Sequence, residues 1–185
     1  LSAEGILSLS PDLVILTEDA GPPPVLLQLK SAGVRLLSLK AGRSVEDVKR
    51  NILEIGTVLG HVAKARQLVD DLERSQSRLE KALAATSKRP GVLFILSYAG
   101  GAPMAAGSDT AADSMIRLAG GNNVSASYKG YKPLTPEATV SAGADVILVT
   151  SQGLETLGGV DGLKKLPGVA LTPAARANRI VAMDS

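Results

Sequence analysis

The stretch Leu1-Ser2-Ala3-Glu4-Gly5-Ile6-Leu7-Ser8-Leu9-Ser10-Pro11-Asp12-Leu13-Val14-Ile15-Leu16-Thr17 returns as Leu134-Thr135-Pro136-Glu137-Ala138-Thr139-Val140-Ser141-Ala142-Gly143-Ala144-Asp145-Val146-Ile147-Leu148-Val149-Thr150. The offset is 134 − 1 = 133, with no gap. Leu, Glu, Ser, Asp and Thr recur at the same places in both copies, and elsewhere apolar residues match apolar residues. Ser2 and Thr135 are residues that cap helix amino termini, and Pro136 suits a first helical position, where no N–H is needed. Glu4 and Glu137 fall in the first turn, where a carboxylate meets the positive end of the helix dipole. A break follows near Pro11 or Gly143. Asp12 or Asp145 then leads into a short, unalternating apolar run that predicts a buried parallel strand. The unit is helix, turn, strand. Two copies so far apart are no solenoid and predict two similar α/β lobes.

Composition narrows the classes. The 185 residues are 45% apolar and 21% charged, an ordinary globular balance. A net charge of +2, with no basic cluster interleaved with aromatics, gives no nucleic-acid footprint. Cys is absent, which removes disulfides, thiolate metal sites and a Cys nucleophile, and is compatible with either redox compartment. The single histidine, His61, stands beside a helix break and reads as structural; with no Cys it leaves no zinc site of the usual kind. No apolar run has membrane-spanning length. The chain opens on a helix cap without Met and stops on a strand, so it reads as a fragment cut at both ends.

Taken in order, Glu18 to Pro24 is expected as a stiff loop at a strand end, Val25 to Ala32 as a short helix and Val34 to Leu39 as a second strand. Ser44 and Asp47 start a helix. Val48, Ile52, Ile55 and Leu59, then Leu68, Leu72, Leu79 and Leu83, repeat at helical spacing, interrupted at Gly60. The segment from about Val62 to Ala85, with mixed charges on its outer face, predicts a connecting strut. The expected division is residues 1–60 for a partial amino-terminal lobe, 61–87 for the strut and 88–185 for the carboxy-terminal lobe.

Gly91 to Leu96 opens the second lobe as a strand. The small-residue loop Ser97 to Gly107 follows at its carboxyl end, where ligands of open α/β sheets bind. It is neither a dinucleotide fingerprint nor a P-loop. Tyr128, Lys129, Tyr131 and Lys132 form a cationic, aromatic loop, readable either as a surface that stacks on a flat ring and pairs with carboxylates or as a solvated linker. Ser151, Gln152 and Gly153 are expected as another strand-end loop, and Thr172 to Ala175 as a tight loop. With no GxSxG, no Cys and no cofactor fingerprint, an α/β enzyme is a weak alternative.

The run 1–15, the strut, AGSDTAADSMIRLAGGNNV (106–124), GYKPLTPEATVSAGADVILVT (130–150) and GVDGLKKLPGVALTPAARANRIVAMD (159–184) resemble the haem-binding periplasmic proteins of bacterial ABC haem importers. These share a class with the vitamin B12 and siderophore binders. The resemblance implies two Rossmann-like lobes with parallel sheets joined by one backbone helix, the amino lobe being incomplete here. It implies haem, as transported ligand, in the cleft between lobes, a periplasmic location, and no catalysis. It implies that Glu4 and Glu137 dock to arginines of the membrane permease. The family's usual tyrosine ligand to haem iron lies upstream of Leu1 and is absent. The ligand-binding candidates that remain are Tyr98, Met104, Tyr128, Lys129, Tyr131, Lys132 and Gln152, with Tyr98 as the candidate iron ligand. The alternatives within the class are a cobalamin or ferric-siderophore binder. A sheet edge left open by a missing strand invites a homodimer or a segment swap.

Overall fold

The computed structural model describes residues 2–42, 44–97 and 103–184. It divides into two compact units, Leu1–Ser75 and Gln76–Ser185. The first unit runs α1 (Ala3–Leu7), β1 (Leu13–Thr17), α2 (Pro23–Ser31), β2 (Arg35–Leu39), α3 (Val45–Val58) and the first part of α4 (Val62–Ala84). β1 and β2 pair in parallel, Val14 opposite Leu36. Ala3, Leu29 and Val34 form the buried centre, with Ile6, Leu7, Val14, Val25 and Leu36 packed around it. Two details differ from the sequence reading. Pro23 and Pro24 are not loop but the first turn of α2, where a missing N–H costs nothing. β1 is only half-buried, with Ile15 43% exposed, because among the described residues its sheet has two strands.

In the second unit β3 (Gly91–Leu96) is the centre of a six-stranded sheet. It pairs in parallel with β7 (Val146–Thr150), which pairs in parallel with β8 (Ile180–Met183). On its other side β3 pairs with β5 (Asn122–Asn123) near its start and antiparallel with β4 (Met104–Ala106) near its end; β4 in turn pairs antiparallel with β6 (Tyr131–Pro133). The α/β architecture is as expected, with an antiparallel edge added to the parallel strands. Successive residues of β3 point to opposite faces. Leu93 and Ile95 join Ala105, Ile147, Leu163 and Val169 on one face, while Val92 and Phe94 join Ala106 and Ile116 of α5 (Ala111–Leu118) on the other. α6 (Pro136–Ala142), α7 (Ser151–Thr156), α8 (Gly159–Lys164) and α9 (Pro173–Arg176) complete the unit. The expected tight loop at Thr172 is instead the start of α9, the Thr172 hydroxyl accepting from the Ala175 N–H at 3.1 Å.

The internal repeat holds at the level of single bonds. The Ser2 hydroxyl accepts from the Gly5 N–H at 3.2 Å, and the Thr135 hydroxyl accepts from the Ala138 N–H at 3.3 Å. The break in each copy is a left-handed residue at the same repeat position, Ser10 (φ 48°) and Gly143 (φ 56°). In each copy the aspartate before the strand offers its carbonyl to an arginine at the start of the neighbouring parallel strand. Arg35 Nε donates to Asp12 at 3.4 Å, and Arg179 Nε donates to Asp145 at 2.6 Å. The Asp145 carboxylate also accepts from the Gly91 N–H at 2.9 Å, so one residue ties together the starts of β3, β7 and β8.

α3 ends at a left-handed Gly60 (φ 74°), and α4 then runs without interruption for 23 residues, the single helix that the helically spaced leucines predict, with the boundary between the two compact units falling inside it, at Ser75 and Gln76. α3 and α4 meet at Gly56 and Ala65: a Cβ on Gly56 would lie 2.3 Å from that of Ala65. Lys49 of α3 reaches Glu46 at 2.7 Å and Glu73 of α4 at 3.1 Å with its side chain 15% exposed. The His61 N–H closes on the Gly56 carbonyl at 2.7 Å and its carbonyl accepts from the Ala65 N–H. Among the described residues no helix is long and apolar enough to cross a membrane.

Candidate functional site

The carboxyl ends of β3, β7 and β8 converge on a small polar cluster. β3 ends at the buried Ser97. β7 passes without a loop into α7, whose start is closed by the Thr150 hydroxyl accepting from the Gly153 N–H at 3.0 Å. Glycine suits this position, because a Cβ at 153 would lie 2.8 Å from Thr150 Oγ1 and 3.2 Å from the Ser97 carbonyl and would displace the cap. Ser151 Oγ donates to Asp184 Oδ1 at 3.0 Å just beyond β8. Gln152, expected in a loop, is an exposed residue of the first turn of α7. Met104, also expected in a loop, is the half-buried first residue of β4. Tyr98 lies outside the described residues.

The Tyr/Lys segment is a folded ribbon rather than a loop. Ala106 pairs with Tyr131, Ala105 with Lys132 and Met104 with Pro133. Directly opposed residues share a face and neighbours alternate. Met104 and Tyr131 therefore stand on the α5 side of the sheet, and Lys132 on the α6 side. Tyr128 goes with Lys132: the Lys132 ammonium sits 4.7 Å from the Tyr128 ring centre, a cation–π contact. The Tyr128 hydroxyl donates to the Ala105 carbonyl at 3.1 Å, and its backbone carbonyl accepts from the Ser108 N–H at 2.7 Å. Gly107 permits this packing, since a Cβ there would lie 2.2 Å from the Tyr128 carbonyl. Lys129 is exposed and paired with Asp109 at 2.9 Å. The described candidates thus fall into groups: Met104 and Tyr131 on one face, Tyr128 and Lys132 on the other, Gln152 at the strand ends and Lys129 in solvent.

Sequence reasoning did not find the pocket beside Lys132, about 480 Å³, whose lining includes Ser125, Ser127, Thr139 and Ser141. The hydroxyl-rich spacing around α6 was its only trace. Among the described residues no three His, Asp or Glu groups gather as a metal site. Glu4 and Glu137 are exposed in the first turns of α1 and α6.

One family model, described as periplasmic binding protein, matches the chain over residues 1–185. The backbone superposes on the periplasmic heme-binding protein RhuT of Roseiflexus sp. RS-1 with a TM-score of 0.90 and 41% identity, covering all of this chain and 71% of that one. The chain is 27% identical over 187 residues to the uncharacterized ABC transporter substrate-binding lipoprotein YvrC of Bacillus subtilis, and 28% identical over 151 residues to the cobalamin-binding protein of Halobacterium salinarum. The first of these relatives is spanned for 58% of its length and the second for 40%. With a full-length family match and a fold shared at 41% identity, the chain belongs to the periplasmic binding protein family.

Proposed function

We propose that this chain is a solute-binding protein that takes up haem in the periplasm and delivers it to the permease of an ABC importer, without catalysing a reaction. The observation that carries this reading is the likeness to RhuT, whose name states heme binding, across every residue of the chain. Haem would lie against the carboxyl ends of β3 and β7, where open α/β sheets bind ligands. Met104, Tyr131 and Gln152 are the described residues proposed to meet it, with Tyr98 as the proposed iron ligand and the exposed Lys129 as a partner for a propionate. Tyr128 and Lys132 stand on the opposite face of the β4–β6 ribbon, in cation–π contact with each other. Glu4 and Glu137 are proposed as the permease contacts. A carboxylate at each helix start accepts a bidentate arginine, which sets orientation as well as adding energy.

A cobalamin ligand is the second reading, favoured by the likeness to the Halobacterium protein. Absorbance titration of the chain with haemin and, separately, with cyanocobalamin decides between them. Saturable growth of a Soret band with haemin, unaffected by excess cyanocobalamin, supports haem. A protein-bound cobalamin and a flat haemin titration reverse the assignment. If Tyr98→Ala leaves the haem spectrum and affinity unchanged, Tyr98 is not the iron ligand. Self-association through the edges of the β1–β2 sheet, two-stranded among the described residues, is a separate proposal, and a monomeric mass by light scattering at high concentration rejects it.

A further inference from the structure

The α6 side of the six-stranded sheet carries a pocket of about 480 Å³ that the haem reading leaves unused. Its volume lies within the range of roughly 300–1,000 Å³ typical of small-molecule sites. Leu93 and Ala105, 1% and 5% exposed, give it an apolar floor. The rest of its lining mixes apolar residues, among them Val124, Leu134 and Ala142, with hydroxyls and one cation. Ser125, Ser127 and Ser141 line it, and their hydroxyls make no hydrogen bond to any described residue. Lys132 lines it too, and among the described residues its ammonium touches only the Tyr128 ring and no carboxylate. Among the described residues no Asp or Glu lines the pocket. A cation steadied by an aromatic face, unspent hydroxyls and an apolar floor suit a ligand with one negative charge and a short apolar body. An amine would meet the lysine with no counter-charge, and a purely apolar guest would leave the donors unmet.

We propose that this pocket binds a small organic monoanion of the medium-chain carboxylate type, its carboxylate on Lys132 and the serine hydroxyls and its chain on Leu93 and Ala105. Its apolar floor and Lys132 lie on the α6 face of the sheet, whereas Met104 and Tyr131, assigned to haem, stand on the α5 face.

The test uses sodium octanoate and the 19.0 kDa chain, followed by amide NMR. Saturable shifts confined to residues 93, 105, 124–128, 132, 134–135 and 138–142 are expected, and none with octylammonium chloride at the same concentration. Ala138→Leu, which fills the pocket from an exposed helix position, abolishes the shifts. Lys132→Met, which keeps the apolar stem over Tyr128, weakens binding by about fivefold, the size of one partly exposed ion pair. Melting curves confirm that both variants fold. The proposal is overturned if octanoate gives no saturable shift, if octylammonium binds equally, or if both folded variants bind octanoate as the parent does.

Discussion

At the residue scale, the repeat assigns different amino acids to one backbone state. Position 10 holds a serine and position 143 a glycine, yet both are left-handed. A Cβ at 143 meets nothing within 4 Å, so a side chain there costs only its strained φ. Gly143→Ala is expected to lower stability by about 1 kcal/mol, read as a shift in urea midpoint with an unchanged slope. An unchanged midpoint would show that the αL turn carries no penalty here. The break was visible in the sequence through Pro11 and Gly143, but its common conformation was not, because serine carries no mark of positive φ. The aspartates are similar. Asp12 and Asp145 were legible as a repeated step between helix and strand, but the arginines that clip their carbonyls, Arg35 and Arg179, lie outside the gapless match.

At the scale of elements, α3 and α4 make the closest fit in the first unit. Adding a methyl at Gly56 forces it against Ala65, and Gly56→Ala is expected to cost about 1–3 kcal/mol by overpacking, measured by thermal melting. The same pair of helices is bridged by Lys49, whose pKa is raised above its ordinary 10.5 by hydrogen bonds to Glu46 and then Glu73. Because the folded pKa is the higher one, this stabilisation is fully present below the unfolded value and is lost as pH rises through the folded value. The melting-temperature gap between the parent and Lys49→Met should therefore be widest near neutral pH and shrink above roughly pH 10.5. A gap that does not change with pH would mean that the ammonium is not what joins the helices. Helix starts and apolar periods were readable in advance at Ser44, Gly60 and the leucines of α4. The β4–β6 ribbon was not. Its strands are three residues each, and YKP and MAA show no alternation to distinguish strand from loop. The start of α7 was missed for a related reason: Thr150 both ends β7 and caps the helix, leaving no loop residue between them.

At the scale of the whole molecule, the proposed role joins three things: a haem at the strand ends, a glutamate on each unit, and a permease that receives both. Replacing both glutamates, Glu4→Ala with Glu137→Ala, should leave haemin binding intact. Stimulation of the permease ATPase should fall by about tenfold for each glutamate replaced, the size of one charge-assisted hydrogen bond. Undiminished stimulation would detach these residues from docking. The family was legible in the sequence because its motifs are spread from the first copy of the repeat to the last strand. The ligand groups were less so, since Lys132 and Tyr131 are neighbours in the chain but stand on opposite faces of the sheet. The most direct test of haem binding at the strand ends is the position of iron in anomalous-difference maps from crystals of the chain grown with haemin. One dominant iron peak is expected at the carboxyl ends of β3 and β7. Iron bound at the Lys132 pocket, or crystals grown with excess haemin that contain no protein-bound iron, would contradict it.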